Sequence, residues 1–324
     1  MALDARELDD GHVLECDLCI VGGGAAGITI ARAFAGSRIA VCLLESGGLE
    51  YEEQVQDLYK GANVGLPYFD LDICRLRLFG GSTNHWAGRC RPLDEIDFEA
   101  RAWVPLSGWP LTRAELEPHY RAAQELCELA AFDYAPEPWL GPGQEALPFD
   151  PAKVVSRVWQ FSPPTQFGQA YRVALEAAPN VTILLHASVV DIEANAAGSE
   201  VLGLEVRTLT GKRLSARARA YVLACGGLEN PRLLLAARRQ VNAGLGNQRD
   251  MVGRCFMEHP HLNAARALVV DPAVLAFYTR GQGARAANGT EVVGCLNHSP
   301  ERQRALEVLN FDALFTVDNI GDSG

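Results

Sequence analysis

The chain has 324 residues, 48% apolar and 21% charged, enough for two domains or one elaborate one. Twenty-nine basic against forty acidic residues leave a formal charge of −11, which argues against a surface built for nucleic acid or an anionic membrane. The opening MALDARELDDGHVLECD lacks the apolar segment of a secretory signal, and no stretch approaches the ~20 apolar residues of a membrane span, so the composition reads as cytoplasmic.

The first strong pattern is DLCIVGGGAAGITIARAFAGSRIAVCLLES, from Asp17 to Ser46. Leu18 to Val21 is a short apolar run, as a strand buried on both faces requires. It breaks at Gly22-Gly23-Gly24-Ala25-Ala26-Gly27, where Gly22, Gly24 and Gly27 give the G-x-G-x-x-G spacing. A helical stretch follows, with Ile28, Ile30, Ala31, Phe34 and Ala35 free to pack on a sheet, and then a second apolar strand, Ile39 to Leu44, ends at Glu45. In this pattern Gly22 permits the tight turn, Gly24 lets backbone approach a pyrophosphate, and Gly27 lets helix and strand pack closely. The helix N-terminus suits the diphosphate, and Glu45, 21 residues after Gly24, is placed to accept from a ribose 2′-OH. The register predicts a dinucleotide site, either NAD or FAD. An acid at 45 disfavours a 2′-phosphate and so NADP.

Gly47 to Ala62 reads as a polar connection with room for a short helix. Leu71 to Phe79 alternates enough to be extended, and ends in Gly80-Gly81-Ser82-Thr83-Asn84-His85-Trp86-Ala87-Gly88, a loop whose backbone can approach a ligand closely. Leu111 to Leu129 is a helix with Thr112 and Glu115 as a capping box. Proline-rich Pro136 to Pro151 is a surface excursion, and Gln169 to Ala177 a short amphipathic helix. Strands are expected at Val181 to Leu185, Ser188 to Glu193 and Val201 to Leu209, with a hairpin at Thr210-Gly211-Lys212 and a return over Arg213 to Ala224. The return strand stops at Cys225-Gly226-Gly227, a second glycine break, before a helix over Pro231 to Arg238. Short strand-like runs follow at Ala264 to Val270 and Glu291 to Leu296.

Nine cysteines are scattered, with no disulfide framework or structural zinc pattern. Cys16 and Cys19 have C-x-x-C spacing, but on a regular strand residues three apart face opposite ways, so they read as small apolar strand residues. Cys42, Cys225 and Cys295 also sit in apolar, strand-like contexts.

In this order the motifs resemble the glucose–methanol–choline family of flavin oxidoreductases. The carriers are VGGGAAG at 21–27, LLES at 43–46, GGSTNHWAG at 80–88, SGWPLTRAELEPHY at 107–120, HASVVDI at 186–192, VLACGGLENPRLLL at 222–235 and VGRCFMEHPH at 252–261. The His-Trp pair and the SGWP segment look most like the sugar- and polyol-oxidising branch, which includes pyranose oxidases. The resemblance favours FAD over NAD. It implies an α/β fold: a Rossmann-like FAD-binding domain, a parallel sheet plus an antiparallel β-meander, with the beginning of an α+β substrate domain. The implied division is an extension over 1–14, FAD-binding parts over 15–135 and 179–250, an excursion over 136–178 and the start of a substrate domain over 251–324.

By position, the resemblance assigns Gly22, Gly24, Ala26 and Gly27 to the pyrophosphate and Glu45 to the adenosine ribose, with Ala25 and Ser46 also among the cofactor-binding residues. Val189 would address the adenine through its backbone; Gly80, Gly81, Thr83 and Asn84 would lie along the pyrophosphate and isoalloxazine; Gly226 would close over the cofactor. His85 aligns with the histidine bonded covalently to the flavin 8α-methyl in pyranose-oxidase-like members. The alternative is that His85 packs or hydrogen-bonds beside a non-covalent flavin. Trp86 reads as packing, and Glu258, His259 and His261, broken by proline, as structural rather than metal-binding. The implied chemistry is oxidation of an alcohol, sugar or polyol, with hydride passing to flavin N5. The family's catalytic pair, a histidine with a second histidine or asparagine, lies in a C-terminal segment with no counterpart here, so no catalytic residue is assigned. The expectation is a truncated enzyme, or half of a split one that needs a complementary chain. A non-catalytic flavin-binding subunit and a NAD-dependent dehydrogenase are the competing readings.

Overall fold

The computed structural model describes residues 1–258, 260–266 and 268–316. In chain order the elements are β1 (Ala2–Asp4), β2 (Val13–Val21), α1 (Ala25–Phe34), β3 (Val41–Leu44), α2 (Glu53–Gln56), β4 (Arg89–Cys90), α3 (Arg113–Leu126) and β5 (Val154–Phe161). They continue with α4 (Phe167–Ala177), β6 (Val181–Leu185), β7 (Ser188–Ala194), β8 (Val201–Arg207), β9 (Arg213–Leu223), α5 (Gly226–Ala236), β10 (Ala284–Arg285), β11 (Glu291–His298) and α6 (Pro300–Leu306). Among the described residues no helix is long and apolar enough to cross a membrane.

Two compact units emerge, each from two chain segments. The first, Met1–Trp86 with Gln166–Glu258, is built on a seven-stranded sheet in the order β1-β6-β3-β2-β9-β8-β7. The five strands β1, β6, β3, β2 and β9 run parallel, and β8 and β7 complete an antiparallel meander on β9. This is the α/β, Rossmann-like class expected of the sequence, with ligand loops at the carboxyl ends of the parallel strands. Leu18–Val21 and Val41–Leu44 are buried along their whole length because helices or chain cover both faces. The second unit, Ala87–Thr165 with His259–Gly324, carries an antiparallel sheet in the order β10-β11-β5-β4. Val158, Phe277, Tyr278, Val292 and Leu296 form its buried cluster. Beside them a polar network is fully paired: Gln124 Nε2 donates to Gln160 Oε1 at 2.9 Å, and Tyr134 Oη donates to Gln124 Oε1 at 2.9 Å.

Several local expectations change. The first residues, read only as an extension, supply edge strand β1, whose Leu3 pairs with Leu184. Leu71 to Phe79 is a series of turns rather than an extended segment. Among the described residues its backbone has no strand partner: the buried Gln56 amide donates to the carbonyls of Asp72 and Arg75, and Ile73 and Cys74 N–H close onto Asp70 O. Ala264 to Val270 forms no strand among the described residues. The helix expected from Pro231 starts earlier, at Gly226, and Asn230 within it ties it back to the end of β9: its Oδ1 accepts from Cys225 N at 2.9 Å and its Nδ2 donates to Leu223 O at 3.1 Å.

Cys16 and Cys19 face the same side of the sheet, contrary to the regular-strand expectation. Asp17 N and Leu18 N both donate to Ala40 O, at 2.9 and 3.0 Å, which is a β-bulge that shifts the alternation by one residue. Leu14, Cys16, Cys19 and Val21 therefore pack on one core, together with Cys42 from β3. All three cysteines are free thiols.

Candidate functional site

The glycine loop leaves β2 with Gly22 at φ +105°, a left-handed conformation where a side chain would also sit 2.6 Å from Ala224 O. Gly27 is closer still: a Cβ there would lie 1.9 Å from Gly22 O, so only glycine lets α1 seat against the end of β2. Gly24, the residue that precedes α1, meets nothing within 4 Å. The space above the helix N-terminus is thus open, and the N–H groups of half-buried Ala25 and exposed Ala26 lie in the first turn, where no intrahelical partner exists.

The structure brings the second glycine loop onto the first. Gly80 N donates to Gly23 O at 2.7 Å, and a Cβ at Gly81 would lie 3.1 Å from the Gly24 Cα. Gly80 and Gly81 both have positive φ, +98° and +54°. Residues Gly81–Asn84 form a 3-10 turn held by their own side chains. Thr83 Oγ1 donates to Gly80 O at 2.6 Å and accepts from Phe167 N at 3.1 Å. Asn84 Nδ2 donates to Phe79 O and Gly81 O at 3.1 and 2.9 Å. Both side chains brace the loop, which leaves its backbone as the surface offered to a ligand. His85 ends the turn with an exposed ring that has no hydrogen-bond partner among the described residues. Trp86 packs edge-on against Phe167 with centroids 6.5 Å apart.

Glu45 is 6% exposed at the end of β3, and each of its oxygens already holds a backbone N–H. Oε2 accepts from Gly23 N and Oε1 from Gly47 N, both at 2.8 Å. Burial pushes the carboxyl pKa up, against those two bonds and the nearby Arg77 charge. In this structure Glu45 thus ties the glycine loop to the end of β3, a role the sequence pattern did not announce. Ser46 Oγ accepts from Arg77 at 2.8 Å. Ala187 N donates to Glu45 O at 2.9 Å, and β7, which carries half-buried Val189, begins at the next residue. Gly226 opens α5 at φ +86°, exposed, with nothing within 4 Å of a Cβ.

Sequence reasoning missed a clasp beside Glu45. Glu229 on α5 is 7% exposed and pairs with Arg75 at 3.0 Å, Arg77 at 3.3 Å and Arg232 at 2.7 Å. The Arg75 and Arg77 guanidiniums also lie over the Tyr59 ring, 3.9 and 4.3 Å from its centroid. Burial alone would raise the Glu229 pKa, but the Arg232 hydrogen bond and the charges of Arg232 and Arg77 outweigh it and hold the carboxyl low. The signal was present as R-L-R before the loop and Glu-Asn after Gly226-Gly227, but the partners are more than 150 residues apart. Tyr68 Oη donates to Glu258 at 3.1 Å, and His259 lies outside the described residues. Among the described residues no three potential ligands come together to hold a metal.

An open α/β sheet with a glycine cradle and helix N-terminus at its carboxyl edge defines a dinucleotide-binding protein. The open space over Gly24, the free first-turn N–H groups and the close stack of Gly81 fit the phosphates of FAD. Residues 17–249 match the family described as FAD dependent oxidoreductase, and the chain belongs to that family. It is 24% identical over 320 residues to the 6'''-hydroxyparomomycin C oxidase of Streptomyces lividus, covering 80% of this chain and 57% of that protein. The chain thus spans little more than half of that relative's length. Among solved structures it is similar to formate oxidase from Aspergillus oryzae RIB40, at 18% identity and TM-score 0.41 over 71% of this chain and 48% of that one. It is also similar to pyridoxine 4-oxidase from Mesorbium loti, at 21% identity and TM-score 0.39 over 68% and 52%. An FAD-dependent oxidoreductase from Chaetomium thermophilum gives 18% identity and TM-score 0.46 over 68% and 47%.

Proposed function

We propose that the chain is the flavin-holding part of a glucose–methanol–choline-type oxidoreductase that acts on CH–OH groups of an alcohol, sugar or polyol. The observation that carries this reading is the seating of Gly80-Gly81 on Gly23-Gly24, which joins the 80–88 loop to the phosphate cradle. A plain nicotinamide site needs only the first of these loops. The curated relative's name supports a hydroxyl-bearing substrate. Bound flavin supplies the acceptor for a hydride leaving the carbinol carbon.

The protein's share is binding and orientation. The α1 N-terminus faces the pyrophosphate with Ala25 and Ala26 N–H groups. Glu45 holds the Gly23 and Gly47 amides in place, with its remaining lone pairs left for the adenosine ribose, and Ser46 and Val189 are the further residues assigned to the cofactor. Gly226 presents exposed backbone at the neighbouring strand end. The exposed His85 ring is free to bond covalently with the flavin ring.

The test is a titration of the purified full chain with FAD, followed by flavin fluorescence. Saturable quenching that NAD does not reverse, and that Gly81→Val abolishes, supports the reading. No quenching, or equal displacement by NAD, overturns it. Acid precipitation of the loaded chain then decides His85: colour in the pellet, lost in His85→Ala, means a covalent link, and colour in the supernatant removes that link.

A further inference from the structure

Two cysteines of the second unit meet beside its buried glutamine pair. Cys90 on β4 lies directly opposite Gln160 on β5, and residues paired in this way on antiparallel strands send their side chains to the same face. The end of α3 covers that face. Gln160 Oε1 accepts from Gln124 Nε2 at 2.9 Å and from Ala130 N at 3.0 Å, and its Nε2 donates to Ala131 O at 2.8 Å. Cys127 caps α3 between Gln124 and Ala130, with its own N–H bonded to Ala123 O at 2.9 Å. The register of β4 and the anchoring of α3 therefore bring the two side chains together, and their sulfurs are in hydrogen-bond contact.

Both are free thiols and both are half-buried, so a small oxidant can reach them while the fold holds them in place. The Cys90 thiol donates to Cys127, which lowers the Cys127 pKa against the opposing effect of burial and raises that of Cys90. An attacking sulfur with a second thiol in reach of it is what reversible thiol oxidation requires. Cys16 also touches Cys19 and Cys42, but those two are closed off in the core of the first unit.

We propose that Cys90 and Cys127 are a peroxide-sensitive pair that closes into a disulfide and fastens the end of α3 to β4. In the first step the Cys127 thiolate attacks hydrogen peroxide: an S–O bond forms, the O–O bond breaks and hydroxide leaves, giving a sulfenic acid. In the second the Cys90 sulfur attacks the Cys127 sulfur: the S–S bond forms, the S–O bond breaks, and the Cys90 proton leaves with the oxygen as water. The two thiols together give up two electrons and two protons, and one peroxide becomes two waters. The site stands apart from the flavin reading and does not depend on it.

In the test, the reduced full chain is exposed to hydrogen peroxide, its remaining thiols are alkylated without reduction, and the digest is read by mass spectrometry. Exposed Cys255 reports that the oxidant has acted. The expected product is a pair of peptides joined through Cys90 and Cys127, two hydrogens lighter than the separate peptides, which dithiothreitol returns to two thiols. Cys90→Ser keeps a hydroxyl donor but no second thiol, so the reaction should stop at the sulfenic acid and dimedone should label Cys127. If that variant does not fold, the wild-type digest decides alone. Full alkylation of Cys90 and Cys127 after Cys255 is oxidised, a sulfinic acid at either without a link, or no dimedone label in folded Cys90→Ser overturns the proposal.

Discussion

Gly24 and Gly27 sit three residues apart and meet opposite constraints. At Gly27 the obstacle is the protein itself, since a methyl group would lie 1.9 Å from Gly22 O. At Gly24 the space is open. Gly27→Ala should therefore destabilise the flavin-free chain by about 1–3 kcal/mol through overpacking. Gly24→Ala should cost under about 1 kcal/mol, the difference between Gly and Ala at a helix cap, while weakening FAD more than tenfold. Urea denaturation of the apo variants beside FAD titration separates the two; equal losses of stability would refute the division of roles. Gly27 was legible in the sequence because its steric demand is local, set by Gly22 five residues before it, whereas the Ala224 carbonyl that also crowds Gly22 lies about two hundred residues away. Glu45 was legible as a buried strand-end acid but not in its work: nothing in the sequence shows that two backbone amides reach its oxygens first.

At the scale of elements, the clasp of Glu229 fastens α5 to the turns of residues 71–79. Those turns were misread as an extended segment because alternation was the visible signal. The alternation belongs instead to Arg75 and Arg77, which reach inward to a carboxylate more than 150 residues away. Breaking this pairing by Glu229→Gln leaves buried guanidiniums uncompensated and should cost about 3 kcal/mol at neutral pH. The Glu229 pKa is lowered in the folded state, so its stabilising contribution is present above the ordinary value near 4.5 and is lost as pH falls below it. Wild type should lose stability between pH 5 and 3 more steeply than Glu229→Gln, as read by urea midpoints across that range; parallel profiles would show that the clasp does not carry the acid sensitivity. The parallel strands were read well because continuous apolar runs bounded by glycine suit few other structures. The bulge at Asp17 was not legible. It depends on the Ala40 carbonyl of a neighbouring strand, and it alone turns Cys16 to the side of Cys19 and Cys42.

For the whole molecule, flavin binding and folding are linked. A ligand that binds only the folded chain adds about 2.7 kcal/mol of stability at a hundredfold excess over its Kd. The melting temperature should keep rising with the logarithm of FAD concentration and stay unchanged with NAD, which differential scanning fluorimetry on the chain's own tryptophans measures. A flat response to FAD would mean that the cradle is not a flavin site. The antiparallel unit was the least legible part of the sequence. Its strand β5 pairs with β4 across about 70 residues and with β11 across 130 or more, and strands whose partners lie that far away leave only weak local patterns.

The central strand β2 lies between β3 and β9, and Val21, the last residue before the glycine loop, is paired with Leu223. One wall of the cradle is therefore made roughly two hundred residues after the loop itself. At a synthesis rate of about 5–20 residues per second, the loop waits roughly 10–40 s for that wall. Until then the edge of β2 is open and the helix N-terminus has no settled strand beneath it. Capture of the cofactor is thus a late event in the life of the nascent chain. A fragment stopped before β9 would contain every residue of the glycine fingerprint and none of the shape that gives it meaning.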